Sequence, residues 1–269
     1  MIKRWLKIVV VLCCALSATR AHAWGPVAHQ AVASRAIDTL PGGLKTFYKN
    51  HRMEMPSLSL EPSFADEGQE RRFAVDRLLP FPFSDLPRSE ASLKERYGDD
   101  GKEAGRLPWL IQESYARLVT AYKAGDKDKI LAESDVLAGL VADMHNPLAF
   151  TDNADGQKTG QHGLWVRFTV RFPEAWQKSL HLSPDPARYL DDPKEYVFAI
   201  MRGAYIWVDN ILYQEDLAHR ASSGYGEIYY EALADRAGSI LKSQLSNAAS
   251  DVGSYWYTAW TAAGRPDLK

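Results

Sequence analysis

The stretch LPWLIQESYARLVTAYKA, residues 107–124, and its successor DKILAESDVLAGLVADMH, residues 128–145, decide the fold class. Apolar residues recur in both at helical spacing. Pro108 sits near the first turn of one, where its missing N–H is harmless. Pro147 bends or ends the other. The same period extends outward. Ala28, Val32, Ala33, Ala36, Ile37 and Leu40 form one stripe, stopped by Pro41-Gly42-Gly43. Tyr196–Leu217, Glu227–Leu245 and Tyr255–Ala263 are aromatic-rich and helical in pattern. Period-2 alternation is rare, and Arg167–Phe172 (RFTVRF) is the best strand candidate, with a helix as the alternative. Residues 56–88 and 153–163 are loop-rich. With no repeat or linker, the expectation is a single all-α domain with long loops.

The first 23 residues fall outside that domain. Lys3, Arg4 and Lys7 precede an apolar run, Ile8–Leu16, and the segment closes on Ala21-His22-Ala23. A basic start, a short apolar core and an A-x-A ending predict a cleaved secretory signal over residues 1–23. The run is too short to span a bilayer. The expectation is therefore an exported protein, periplasmic or secreted, with a domain over residues 24–269. The leader holds four Lys/Arg and no acid, so its removal takes the formal net charge from −2 to −6. That balance argues against a broad nucleic-acid surface. Cys13 and Cys14, the only cysteines, both lie in the leader. Disulfides, thiolate metal ligands and a cysteine nucleophile are thereby excluded from the mature chain. No G-x-S-x-G element, P-loop or dinucleotide fingerprint is present.

Cleavage after Ala23 would make Trp24 the N-terminus. A free α-amino group and the same residue's carbonyl oxygen can chelate a metal. The start WGPVAHQAV adds the imidazole of His29 on the first helix, and imidazole is a good zinc ligand.

On these residues the chain resembles the zinc-dependent bacterial phospholipase C proteins, whose fold is shared with single-strand-specific nucleases. The resemblance also rests on Phe64-Ala65-Asp66, PFSDLPR (82–88), LPW (107–109), VADMHNPL (141–148) and NADGQKTGQHGL (153–164). It implies an all-helical phosphoester hydrolase acting on phospholipid or nucleic-acid substrates. Three clustered zinc ions would bind the phosphate and activate a water. Carried over residue by residue, it implies Trp24, His29, Asp66 and Asp143 as zinc ligands. Asp66 and Asp143 would be the carboxylates of the catalytic centre, and Asp143 would bridge two zincs.

The remaining ligand positions depart from the family. No histidine lies between His51 and His145, so the imidazole expected near Arg71-Arg72-Phe73-Ala74-Val75-Asp76 is missing. Gly139 stands one helical turn before Asp143, where a histidine would share its face. Ala149, Trp165 and Thr169 stand at three further ligand positions. His145 and His162 are the histidines that could rebuild a site. His145 lies two residues past Asp143 and points away from it on a helix. His51, His181 and His219 are expected at the surface or in packing. The Asp155-Gly156 loop is expected to be a structural turn. Two functions follow. One is a weak hydrolase with a reduced metal site, one zinc rather than three. The other is a catalytically inactive descendant that binds a ligand or partner outside the cytoplasm.

Overall fold

In the computed structural model, the described residues are 23–59 and 68–268. All of the predicted leader but Ala23, and the candidate ligand Asp66, lie outside them. The chain is all-α, with no strand among the described residues: α1 (Pro26–Thr39), α2 (Gly42–Asn50), α3 (Glu90–Glu103), α4 (Leu107–Ala124) and α5 (Lys127–Met144). There follow α6 (Leu164–Val166), α7 (Phe172–Ala175), α8 (Pro193–Tyr205), α9 (Val208–Arg220) and α10 (Glu227–Ala262). None of these helices is long and apolar enough to cross a membrane.

Helices α4 and α5 form a hairpin whose turn chemistry is written in two residues. Gly125 ends α4 in the left-handed region (φ +65°), which glycine adopts without strain. Asp126 then caps α5 by accepting from the Lys129 amide at 3.1 Å. The 36 residues of α10, about 54 Å at 1.5 Å per residue, form the spine. It packs against α1, α4, α5 and α9. Gly253 allows α1 to approach it, since a Cβ there would lie 1.9 Å from Thr39 Oγ1. Trp256 anchors the other side: its ring stacks on Tyr48 at 4.5 Å, and its Nε1 donates to the Ser134 carbonyl at 3.0 Å.

Residues 183–190 run alongside α10 without regular structure of their own. Four hydroxyls on one face of α10, Ser246, Ser250, Ser254 and Thr258, accept the amides of Ser183, Asp185, Arg188 and Leu190 at 2.8–3.1 Å. Pro184 and Pro186 need no partner, because proline has no N–H. Hydroxyls spaced four residues apart thus satisfy the backbone of a segment that no helix or sheet accommodates.

Several elements differ from the sequence reading. RFTVRF is helical: Arg167–Arg171 is a π-helical turn linking α6 to α7. Phe168 and Phe172 are buried while Arg171 is exposed, so the apparent alternation is one face of an underwound helix. The two segments 227–245 and 255–263 are one helix. The 196–217 stretch breaks into α8 and α9 at Ile206-Trp207. Helices α2 and α3 lie in stretches to which the sequence reading gives no helix; α3 kinks at Gly98 (φ +55°), and α2 buries Leu44, Phe47 and Tyr48, which do stand at helical spacing.

Candidate metal centre

Three of the four residues assigned as zinc ligands converge. Trp24, at the mouth of α1, is fully buried and tilted against Phe168 at 6.1 Å. Its indole Nε1 donates to the Ala142 carbonyl at 2.9 Å, which lays it along the end of α5. Its backbone nitrogen is 3.1 Å from Asp143 Oδ1. His29, one turn into α1, places Nε2 2.8 Å from the same oxygen. Asp143 is completely buried. Ala23 is buried too, and its carbonyl accepts from Asn146 Nδ2.

The other carboxylate oxygen is taken by a residue that the ligand assignment did not include. Arg71 Nε and Nη2 each lie 2.6 Å from Asp143 Oδ2, and the arginine side chain is 3% exposed. Gly139 makes room for it. A Cβ at that position would lie 2.8 Å from Arg71 Nη2, so a histidine there and the guanidinium where it stands are mutually exclusive. The missing side chain at Gly139 and the guanidinium of Arg71 are thus complementary in volume.

The donors among the described residues do not make up a zinc cluster. Among the described residues no group of three or more His, Asp or Glu side chains could hold a metal. Two ligands of one tetrahedral zinc stand about 3.3 Å apart, given metal–ligand distances of about 2.0–2.1 Å. The 2.8 Å between His29 Nε2 and Asp143 Oδ1 is a direct hydrogen bond. Beside His29, Arg71, Asp135 and Gly139 the void is about 20 Å³, room for little more than one water.

The positions matched to the other zincs are also occupied by packing. Trp165 is 7% exposed and lies under the Arg72 guanidinium, 5.1 Å from its centroid. Thr169 turns its hydroxyl back to the Trp165 carbonyl at 2.7 Å. Ala149 is buried, and its carbonyl accepts from the Phe73 amide at 2.8 Å. Asp76 accepts from Thr151 Oγ1 and the Asp152 amide at 2.7 and 2.8 Å. Among the remaining histidines, His145 pairs with Asp251 at 3.0 Å and turns away from Asp143. His162 is exposed, and its carbonyl accepts from Arg167 Nη1 at 2.7 Å. His51 bonds Glu54, and His219 stacks on Tyr225. The 153–163 loop is a closed turn, with Asp155 accepting from the Gly163 and Trp165 amides at 3.0 Å.

The cluster has a pH signature. Burial pushes the Asp143 carboxyl up, but the charges of Arg71 and His29 outweigh burial and hold it below the ordinary value. An acid with a depressed folded pKa contributes stability above its unfolded value, near 3.9, and loses it as pH falls through the folded value. Asp135, whose carboxyl burial raises despite hydrogen bonds from Ser57, acts with the opposite sign. Thermal midpoints measured from pH 6 to pH 2.5 are expected to fall more steeply below pH ~4 in the wild type than in an Asp143→Asn variant. Equal slopes would show that Asp143 does not carry the acid sensitivity.

No protein-family model matches the chain, and no curated protein matches it.

Proposed function

We propose that this chain is an exported binding or interaction protein on a zinc phospholipase C/nuclease-type scaffold, with an arginine–aspartate pair standing where the cluster's metal would lie. The observation that carries this reading is the Arg71 guanidinium, held 2.6 Å from Asp143 Oδ2 in the space left by Gly139. A guanidinium is a permanent cation with a fixed fork of donors. It neutralises a buried carboxylate as a metal does. It offers no open coordination position, so it neither activates water nor receives a phosphoryl oxygen as a zinc does.

A second reading rests on the convergence of the Trp24 nitrogen and His29 Nε2 on Asp143 Oδ1. There, with the leader removed, one zinc would be held by Trp24, His29 and Asp143 with Asp66 nearby, and the protein would be a weak phosphoester hydrolase. Metal content and turnover separate the two. Purified protein equilibrated with micromolar zinc and then desalted is expected to retain well under one zinc per chain. It is expected to show no Asp143-dependent hydrolysis of bis(p-nitrophenyl) phosphate or phosphatidylcholine. Stoichiometric zinc, with hydrolysis abolished in Asp143→Asn, would replace the first reading by the second.

A further inference from the structure

A cavity of about 520 Å³ lies between α8, α10 and the 183–190 segment. It shares no lining residue with the small void beside Arg71. Its volume falls in the range of small-molecule sites, roughly 300–1,000 Å³. One of its lining carboxylates differs from the others buried in this chain. Asp143, Glu215 and Asp251 are the buried acids among the described residues. Two of them hold an arginine directly: Asp143 takes Arg71 at 2.6 Å, and Glu215 takes Arg167 at 2.7 Å. Asp251 holds none among the described residues. Its Oδ2 faces His145 Nε2 at 3.0 Å, and its Oδ1 accepts from the Tyr196 hydroxyl at 3.0 Å. An imidazole is a cation only when it takes a proton, so Asp251 lacks the permanent counter-charge that the other two possess. Its side chain keeps 10% exposure, against 0% for Asp143 and 1% for Glu215, and it opens on the cavity.

A permanent cation lines the same cavity but stays off that carboxylate. Arg188 is anchored by its amide, which donates to Ser254 Oγ at 3.1 Å, one turn along α10 from Asp251. Its exposed guanidinium lies over the Tyr196 ring, 4.8 Å from the centroid, and forms no ion pair among the described residues. The ring takes one face of the guanidinium, whereas the donors lie in its plane and match a carboxylate. The Tyr196 phenol thus stands between the two charges, its ring against Arg188 and its hydroxyl against Asp251. Burial and then the Asp251 charge push that hydroxyl up to about 12, so it remains a donor to Asp251. Each carboxylate oxygen accepts two hydrogen bonds, so Oδ1 can take an ammonium beside the Tyr196 hydroxyl. A ligand with one sign of charge satisfies either Asp251 or Arg188, and a ligand with both signs satisfies the pair. Asp185 lies at the exposed rim, where solvent screens it. Ile200, Ala204 and Trp207 give the cavity an apolar wall for the rest of the molecule.

We propose that this cavity binds a small zwitterion, an α-amino acid or a dipeptide, with its ammonium on Asp251 and its carboxylate on Arg188. This deepens the binding-protein reading and rests on it. Calorimetry on the purified protein tests it with apolar α-amino acids, their dipeptides, and the N-acetylated and C-amidated form of each, which carry only one of the two charges. At least one zwitterion is expected to bind with a Kd of about 1 mM or tighter, and comparing single residues with dipeptides gives the size that the site takes. Its N-acetyl and amide forms should each bind at least tenfold more weakly, because each loses one charge-assisted contact. Arg188→Ala, at an exposed position, is expected to weaken the zwitterion at least tenfold and to leave the amide form unchanged, with the thermal midpoint within about 2 °C of wild type. Asp251→Asn should weaken the amide form and spare the N-acetyl form; where that variant does not fold, Arg188→Ala and the capped ligands decide. No zwitterion binding, capped forms that bind as tightly as the parent, or affinity indifferent to Arg188→Ala would overturn the proposal. The zinc count judges the arginine-for-metal reading separately, so a failure of one idea is told from a failure of the other.

Discussion

Replacing Asp143 by asparagine is expected to lower the thermal midpoint of the purified protein at pH 7 by on the order of 10 °C, with no dependence on added zinc. The carboxylate is fully buried, and both oxygens are engaged by donors: the Trp24 nitrogen and His29 on one, Arg71 on the other. An amide has one acceptor oxygen. However it is turned, its NH2 group faces either the guanidinium or the Trp24–His29 pair. Breaking one partner of a buried ion pair costs about 3–5 kcal/mol. In a chain of this size each kcal/mol moves the midpoint by roughly 2–4 °C. If Asp143 acts chiefly as a zinc ligand, a different pattern appears. Wild type then gains stability from zinc, the variant does not, and the two coincide after chelation. A second variant sharpens the test. Arg71→Met combined with Asp143→Leu removes both charges at once, and part of the loss should return, because an apolar pair of similar volume often replaces a buried ion pair without net cost. Circular dichroism melts of the three proteins decide it, and a drop under 2 °C in Asp143→Asn counts against the ion-pair account.

What the sequence disclosed of this centre, and what it hid, have one physical origin. Trp24, His29 and Asp143 each lie in or beside a short motif, and each is positioned by local structure: the start of α1, its first turn, and the last turn of α5. Their meeting point could be read without coordinates. Arg71 could not be assigned that way, because its role depends on a residue 68 positions later having no side chain. A signal was nevertheless present. Gly139 stands where the resemblance expects a histidine, and Arg71-Arg72 stand in the region where it expects another, so a missing side chain and added cationic bulk could be read together. The helical domain was legible from the 3.6-residue period in α1, α4 and α5. Helix α10 was read as two pieces because its middle carries Asn247, Ser250 and Gly253 in place of an apolar stripe. The structure explains those residues by contacts distant in sequence. Ser250 accepts from the Asp185 amide, Asn247 lines the cavity, and Gly253 lets α1 approach.

The Glu215→Ala variant is expected to show a loss of similar size, coupled to exposure of the 153–163 loop. Glu215 is 1% exposed in the middle of α9. Its Oε1 accepts from Arg167 Nε and Nη2 at 3.0 and 2.7 Å and from the Tyr229 hydroxyl at 2.8 Å. Its Oε2 accepts from Gln161 Nε2 at 2.6 Å. Arg167 in turn donates to the carbonyls of Gln161 and His162, so one carboxylate ties the π-helical turn, α10 and the end of the loop to α9. Burial pushes the Tyr229 hydroxyl up, and the Glu215 charge pushes it further, which keeps it a donor at every physiological pH. Truncating Glu215 leaves Arg167 buried without a counter-ion and Gln161 without its side-chain acceptor. That combination belongs with broken buried pairs, about 3–5 kcal/mol, rather than with surface ion pairs worth 0–1 kcal/mol. Limited proteolysis should find new cleavage within residues 153–163, because the loop's remaining anchors are mostly its own internal hydrogen bonds, such as Asp155 to Gly163 and Trp165. Glu215→Gln keeps the shape but loses the charge, and it should fall between wild type and alanine. A midpoint shift below 2 °C in Glu215→Ala, or a loop no more sensitive to protease than in wild type, would show that the loop is held by its own turns and that the arginine–glutamate pair is incidental.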